Sequence, residues 1–532
     1  MLRVSGIRVA PGTDEKHLIA AAASRLRVPP TCVKGIRIVK KSVDARDKKE
    51  IRIIYTLDVT LTKPENSVLS VLPSGICTRV EKEKPFTVSP ARVPGPVPVV
   101  VGLGPGGLFA ALYLAMAGLR PLILERGEPV EQRRNTVDIF HTNGSLDPES
   151  NVQFGEGGAG AFSDGKLTTG IKDERCRAVT EILIRHGAPE EIGFLARPHI
   201  GTDRLPQVVS SIRKEIERLG GRVLFSSRLC DLRTEKDRLT GIVWKDRNGI
   251  HEQECERMIL AIGHSASDTQ QMLFERGVNM VRKPFSVGVR IEHPRYLIDR
   301  AQYGEYAGNR DLGAAEYHLS THLKDGRGVY TFCMCPGGTV VASASREGGV
   351  CTNGMSVFSR DGENSNAALL VDVRTDDFPD SHPLSGYVLQ RMWEERAFRA
   401  GGGGYRAPVQ RVEDFLNGRE TARLGDIRPT YLPGVTEADL RFVLPQELIE
   451  DLRQGILQFD RQLRGFAHPD AVLTAVESRS SCPVRVTRNE LGECNISGIF
   501  PCGEGAGYAG GIMSAAVDGL RQAEALVRSA SL

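Results

Sequence analysis

The sequence has little that would tie it to a membrane, a metal or an oxidising compartment. No uncharged apolar run approaches the ~20 residues that a membrane span requires, so no integral membrane segment is expected. The N-terminus, MLRVSGIRVAPGTDEK, lacks the apolar stretch of a signal peptide. Asp14 and Glu15 also stand too early for a transit peptide. A reducing, cytoplasmic setting is therefore the expectation. Eleven cysteines are scattered along the chain, an odd number, and no C-x-x-C occurs. That excludes a disulfide framework and leaves no zinc-ligand spacing. No internal repeat is evident.

What is present is the composition of a large globular chain. Over 532 residues, 40% are hydrophobic, 25% are charged and 57 are glycine, enough for about three domains with a sizeable core. The net charge of +3 is unevenly placed. Residues 1–95 carry eighteen Lys and Arg against nine Asp and Glu, a surplus of nine, which leaves the remainder at −6. A basic front unit either meets something anionic or docks on the body.

Residues 1–90 read as a small α+β unit. Leu2 to Val9 is a strand, Asp14 caps a helix through Leu26, and two strands follow at Ile36–Val39 and from Ile51 to Leu61. The segment 91–98, ARVPGPVP, is rich in proline and reads as a linker.

The strand Val97–Val101 then runs into Gly102-Leu103-Gly104-Pro105-Gly106-Gly107, a G-x-G-x-x-G turn. A helix follows from Leu108 to Ala117, closed by Gly118, and a strand from Leu119 to Leu124 ends at Glu125, with Arg126 beside it. This is a dinucleotide-binding β-α-β unit. Gly102 allows the tight turn, Gly104 lets backbone approach a pyrophosphate, Gly107 lets helix and strand pack closely, and Glu125 can accept ribose hydroxyls. Two distant segments select FAD. Met258–Leu260 is an apolar strand ending in the small-residue turn Ala261-Ile262-Gly263-His264. Near the end, IFPCGEGAGYAGGI supplies Gly503, Glu504, Gly511 and Ile512 before a helix over Met513–Val527. A strand, an acid, glycines and a helix N-terminus suit the ribityl and flavin end of FAD.

Together these stretches resemble the FAD-dependent dehydrogenase (NAD(P)/FAD-dependent oxidoreductase) family with a glutathione-reductase-like FAD fold. VGLGPGGLFAALYLA, NVQFGEGGAGAFSDGKL, KPFSVGVRIEHP, FCMCPGGTVV and CGEGAGYAGGIMSAAVDGL carry the likeness. The resemblance implies an α/β protein. Its parts would be a discontinuous Rossmann-like FAD-binding domain (97–285 and 470–532), a mixed α+β substrate or cap domain (286–469) and the basic α+β front domain (1–90). It also implies a redox role, and it supplies no substrate. It places Arg133 or Arg134 over the phosphates and Gly157, Gly158 and Gly160 under the isoalloxazine. Leu229 falls near the adenine.

At the ring, Ser163, Asp164 and Lys166 are candidates. Lys166 can hold negative charge and Asp164 can bond a ribityl group; a loop held by its own hydrogen bonds is the alternative. Arg479 is a candidate anchor for an anionic substrate or one half of an ion pair. His264 reads as structural or cofactor-adjacent. Cys333 and Cys335 would share one face of a strand, as core or as a redox pair. No second dinucleotide fingerprint appears, so either NAD(P)H binds transiently over the flavin as electron donor or the electrons come from another donor. The expected activity is electron transfer between FAD and a small or lipid-like substrate. The alternative is a flavin-dependent RNA-modifying enzyme gripping RNA through the front unit, although Tyr55 and Phe86 are that unit's only aromatics.

Overall fold

The structure is a computed structural model that describes residues 1–73, 75–81 and 85–530. At its centre lies a five-stranded parallel sheet. Its spatial order is Ile499–Pro501, Met258–Leu260, Val99–Val101, Leu122–Leu124 and Arg222–Leu224. The four strands other than the Arg222 edge are three apolar residues long and buried on both faces, as a parallel sheet covered on both sides requires. Alternate side chains serve alternate layers. Val100, Ile123, Ile259 and Phe500 pack under helices Pro105–Met116, Leu205–Arg218 and Ile512–Ser529. Val99, Leu122, Met258 and Ile499 pack against a three-stranded antiparallel sheet spanning residues 228–254.

The chain order places Val99–Val101 and Met258–Leu260 side by side with their connections leaving in opposite directions. That is the topological switch point, where such sheets open a crevice beyond the strands' carboxyl ends. Helix Pro105–Met116 begins three residues earlier than the sequence reading has it, because proline is pre-organised for the first helical position and needs no amide there.

A second sheet of seven strands carries the next unit. Its order is Ser320–His322, Gly328–Cys335, Asn364–Val373, Phe285–Pro294, Val472–Glu477, Ala407–Arg411 and Val435–Glu437, antiparallel except for the last pair. The expected return to the first unit at residue 470 is therefore corrected. Strand Val472–Glu477 is central to the larger sheet, paired on both sides.

The front unit forms a four-stranded antiparallel sheet with helix Glu15–Leu26 capped by Asp14, and a fourth strand at Cys77–Arg79 beyond the expected three. Its core, including Leu18, Ala22 and Leu26, is continuous with that of the seven-stranded unit. It docks on the body. The Lys41 amide donates to Phe194 O at 2.8 Å, the Ala196 amide to Lys41 O at 2.9 Å, and Lys48 Nζ to Ala301 O at 2.5 Å. Among the described residues, no helix is long and apolar enough to cross a membrane, and no cluster of three or more His, Cys, Asp or Glu is poised to hold a metal.

Candidate functional site

One cavity opens at the switch point and extends to the seven-stranded sheet. Three stretches remote in sequence meet there: the turn Gly102–Gly106, the turn Ala261–Ala266 and the tail segment Cys502–Ile512. Close packing fixes the first two. A Cβ on Gly102, whose φ is +94°, would sit 2.3 Å from Ala261 O, and one on Gly107 would sit 1.8 Å from Gly102 O. Gly104 differs. A Cβ there would meet nothing closer than Gly158 Cα at 3.7 Å, so its glycine keeps one wall of the cavity low. Helices Pro105–Met116 and Ile512–Ser529 both start at this cavity, after Gly104 and Gly511, and no side chain caps either start. Their first amides and positive dipole ends therefore face the cavity.

Most residues singled out from the sequence line this cavity: Gly102, Gly104, Pro105, Gly106, Glu125, Arg126, Gly158, Gly160, Ser163, Asp164, Lys166, Leu229, Gly263, His264, Arg479, Gly503, Glu504, Gly511 and Ile512. Four do not. Gly107 and Leu108 lie behind the turn in the buried start of the helix. Gly157 packs on Val209 and Ala161. Arg133 is fully buried, and its guanidinium donates to the backbone oxygens of Asn151 (2.8 Å), Glu156 (2.6 Å) and Val152 (3.0 Å). It shapes the 151–156 loop and does not reach a phosphate.

The structure also revises what several lining residues can do. Glu125 does not hold its carboxylate open for two hydroxyls. It accepts the amides of Leu103 (2.7 Å), Gly127 (2.9 Å) and Gly155 (3.0 Å). Three of roughly four acceptor sites are thus spent tying three loops together. Arg126 is held by Glu149 and Asp268 and lies 3.9 Å over the Phe154 ring.

Asp164 is buried against Arg360, which donates from Nε at 3.0 Å and from Nη2, and it accepts Ser356 Oγ at 2.7 Å. Burial works to raise the Asp164 pKa, but the guanidinium outweighs it and holds the carboxyl below the usual range. Such a saturated carboxylate has little left for a ribityl hydroxyl. Arg360 also reaches Glu316 at 2.7 Å, and Lys166 Nζ stands 3.7 Å from Glu316 on the cavity side.

Arg479 is not a free anion anchor. Glu394 grips it from two oxygens at 2.7 Å, Ser345 Oγ accepts at 2.6 Å, and the side chains are only 8% and 4% exposed. His264 Nδ1 lies 3.6 Å from Glu504, while its Nε2 is buried without a hydrogen-bond partner.

The far end of the cavity holds residues that the sequence reading missed. Glu477 and Asn353 line it beside Phe332 and Cys333. Both are fixed by the fully buried Arg290, which reaches Glu477 with Nε at 2.9 Å and Nη2 at 2.8 Å, and Asn353 Oδ1 at 2.9 Å. A signal existed: an arginine flanked by Val287, Val289 and Ile291 in the strand FSVGVRIEHP demands a buried partner. Cys333 departs from the regular strand expected for it, because a bulge interrupts the pairing between Phe332 and Cys335. The neighbouring Cys335 thiol pulls the Cys333 pKa below the usual thiol range. Burial opposes the shift, and Arg290 and Lys166 assist it.

The comparisons with known proteins bear on this site directly. The model of the family described as FAD-dependent protein, C-terminal domain-like, matches residues 284–480, and a domain of unknown function, DUF8436, matches residues 1–60. An uncharacterized protein of Clostridium beijerinckii is 45% identical over 535 residues, covering 100% of this chain and 99% of that one. The chain belongs to this family of FAD-dependent proteins. Among solved structures, the FAD-complexed glycerol-3-phosphate dehydrogenase of Bacillus halodurans matches the FAD-dependent protein at 11% identity over 82% of this chain and 65% of that one, with a TM-score of 0.36. A flavoprotein/dehydrogenase of Cytophaga hutchinsonii matches at 11% identity over 82% and 78%, with a TM-score of 0.37. FAD is thus the cofactor of the protein, and its chemistry is that of a flavoprotein.

Proposed function

We propose that this FAD-dependent protein is an oxidoreductase that passes electrons between FAD and a small or lipid-like organic substrate at the far end of the cavity. The observation that carries this reading is the convergence of Gly102–Gly106, Ala261–Ala266 and Cys502–Ile512 on one cavity whose other end is closed by the 284–480 unit. The fit to FAD rests on the uncapped helix start at Gly104, the low walls at Gly104, Gly510 and Gly511, and the unpartnered His264 Nε2. In this reading the first helix holds the pyrophosphate, and Glu125, Arg126 and Leu229 mark the adenosine end. Gly511, Ile512, Glu504 and Lys166 stand toward the ring.

Bound FAD supplies reversible two-electron chemistry. The chain does the rest. The start of helix Ile512–Ser529 favours negative charge beside it, and Lys166 Nζ places a cation on the same wall. Phe332 adds an apolar ring to the lining at the far end. The discontinuous parallel-sheet unit (97–285 with the tail) would bind the cofactor, and the seven-stranded unit would receive the substrate. The RNA-directed alternative has no observation in its favour; the front unit docks on the body through the Lys41 backbone and the Lys48 ammonium.

The test is direct. Purified protein should be yellow and release about one FAD per chain on denaturation. Anaerobic mixing with NADH, NADPH or dithionite identifies the donor, and re-oxidation against metabolite pools identifies the substrate class. A colourless protein that cannot be loaded with FAD overturns the reading.

A further inference from the structure

We propose that Cys333 and Cys335 are a redox-active dithiol that exchanges two electrons with the bound flavin. The proposal rests on the FAD reading above and adds an electron store to it. Strand Gly328–Cys335 pairs Phe332 with Ala368 and Cys335 with Asn366, so three steps on one strand oppose two on the other. The extra residue makes a bulge, a device that re-aims side chains beside active sites. Cys333 sits in it with a φ of +42°, a left-handed conformation that a residue with a Cβ keeps only where its surroundings impose it.

The surroundings do so here. Arg290 Nη1 donates to Cys333 O at 2.9 Å, and Cys335 Sγ is 3.3 Å from the same oxygen. Two consecutive residues, Phe332 and Cys333, consequently both line the cavity, where a regular strand would present only one. Cys335 is fully buried behind them, two residues on from Cys333, and its thiol donates to the Cys333 carbonyl oxygen. Both are free thiols. Cys502 also lines the cavity, but burial and the neighbouring Asp518 carboxylate drive its pKa up, against the thiolate. The Cys333 sulfur instead has Arg290 and Lys166 near enough to favour its thiolate, the nucleophilic form.

The step balances within the protein. Both S–H bonds break and one S–S bond forms; two electrons and two protons leave the sulfurs and are taken up by FAD. In the reverse direction the disulfide is cleaved and FAD is regenerated from its reduced form. A bridge across one intervening residue is strained, and strained disulfides are the readily reducible ones.

Trypsin isolates the pair, because residues 328–346 hold Cys333 and Cys335 and no other cysteine. Holoprotein equilibrated anaerobically across glutathione ratios, then alkylated and digested, should give this peptide in two forms. The oxidised one is lighter by two hydrogens and carries no alkyl group. Reductive titration of the oxidised holoprotein should consume about four electrons per chain, against about two in Cys333→Ser and Cys335→Ser. Fully alkylated peptide under every oxidising ratio overturns the proposal. So does a titration end-point of about two electrons in a wild type that carries its full flavin; in that case the FAD reading stands. Protein without flavin fails both, and the peptide from that apoprotein still reports whether the sulfurs join. If Cys335→Ser does not fold, Cys333→Ser, at the half-exposed position, decides the titration alone.

Discussion

The grip of Glu394 on Arg479 gives the sharpest test of how the cavity wall is built. Glu394 accepts Arg479 Nε and Nη2 at 2.7 Å each and Ser478 Oγ at 2.6 Å, and both charged side chains are almost wholly buried. Burial pushes the carboxyl up, but Arg479 and Ser478 pull harder, so it stays ionised and below its ordinary pKa. Replacing Arg479 with Met leaves a buried carboxylate short of its counter-charge. Breaking such a pair from one side costs about 3–5 kcal/mol. If the 284–480 stretch, about 200 residues, unfolds as one cooperative unit, that cost lowers the melting temperature by about 10 °C at 2–4 °C per kcal/mol. Glu394→Met should cost a similar amount. The double variant, with two apolar side chains facing each other, should recover most of the loss, giving a coupling of about 2 kcal/mol or more. Thermal melts followed by circular dichroism read all four proteins, and flavin content is measured in each. If Arg479→Met melts within about 1 °C of wild type while anionic ligands lose affinity, the pair is incidental and Arg479 is a ligand anchor after all.

Four further outcomes follow from the same geometry. Gly104→Ala should leave apoprotein stability within about 1 kcal/mol, since the new methyl meets only Gly158 Cα at 3.7 Å, yet lower FAD affinity at least about tenfold by filling the cradle. Gly107→Ala, with its Cβ 1.8 Å from Gly102 O, should reduce both, as apoprotein melts and flavin titrations will show. Glu292 is fully buried, and desolvation raises its pKa to about 7 despite bonds from Thr430 and Asn364. The folded state then binds a proton that the unfolded state has lost, so this group's contribution falls by about 3 kcal/mol as pH rises from about 4.5 to 7. Glu292→Gln should flatten that part of the stability–pH curve, and an unchanged slope would show that the carboxyl is ionised in the fold. Removing residues 1–90 should expose the apolar face that the front sheet shares with the seven-stranded unit, read as dye binding and aggregation of the 91–532 fragment.

The parallel-sheet unit is legible in the sequence because its constraints are local. Three-residue apolar strands must be covered on both faces, a turn with φ of +94° must be glycine, and Gly107 must be small. These leave marks at fixed spacing. Glu125 shows the limit of such marks. Its position was predictable from its spacing after Gly102, but its partners were not, because the Gly155 amide that it accepts comes from a loop thirty residues on. Arg133 shows a different failure. A basic residue near phosphates and a basic residue pinning a loop look alike in sequence, and only burial separates them. The Cys333 bulge is invisible to a period-2 reading for the same reason: it is specified by Arg290, forty-three residues away.

The three buried pairs around the cavity also determine which parts of its wall are rigid. Asp164 with Arg360, Glu477 with Arg290 and Glu394 with Arg479 each bring one charge to or near the wall and cancel it with a partner of the seven-stranded unit. Pairs of this kind are expensive to break from one side. They act as fixed dipoles that hold the wall rigid around whatever fills it. The looser contacts on the wall are Lys166 at 3.7 Å from Glu316 and Glu504 at 3.6 Å from His264. Substitutions at Lys166 or Glu504 should therefore leave the melting temperature close to wild type and act on the rate of flavin reduction, while substitutions within the pairs should change stability first.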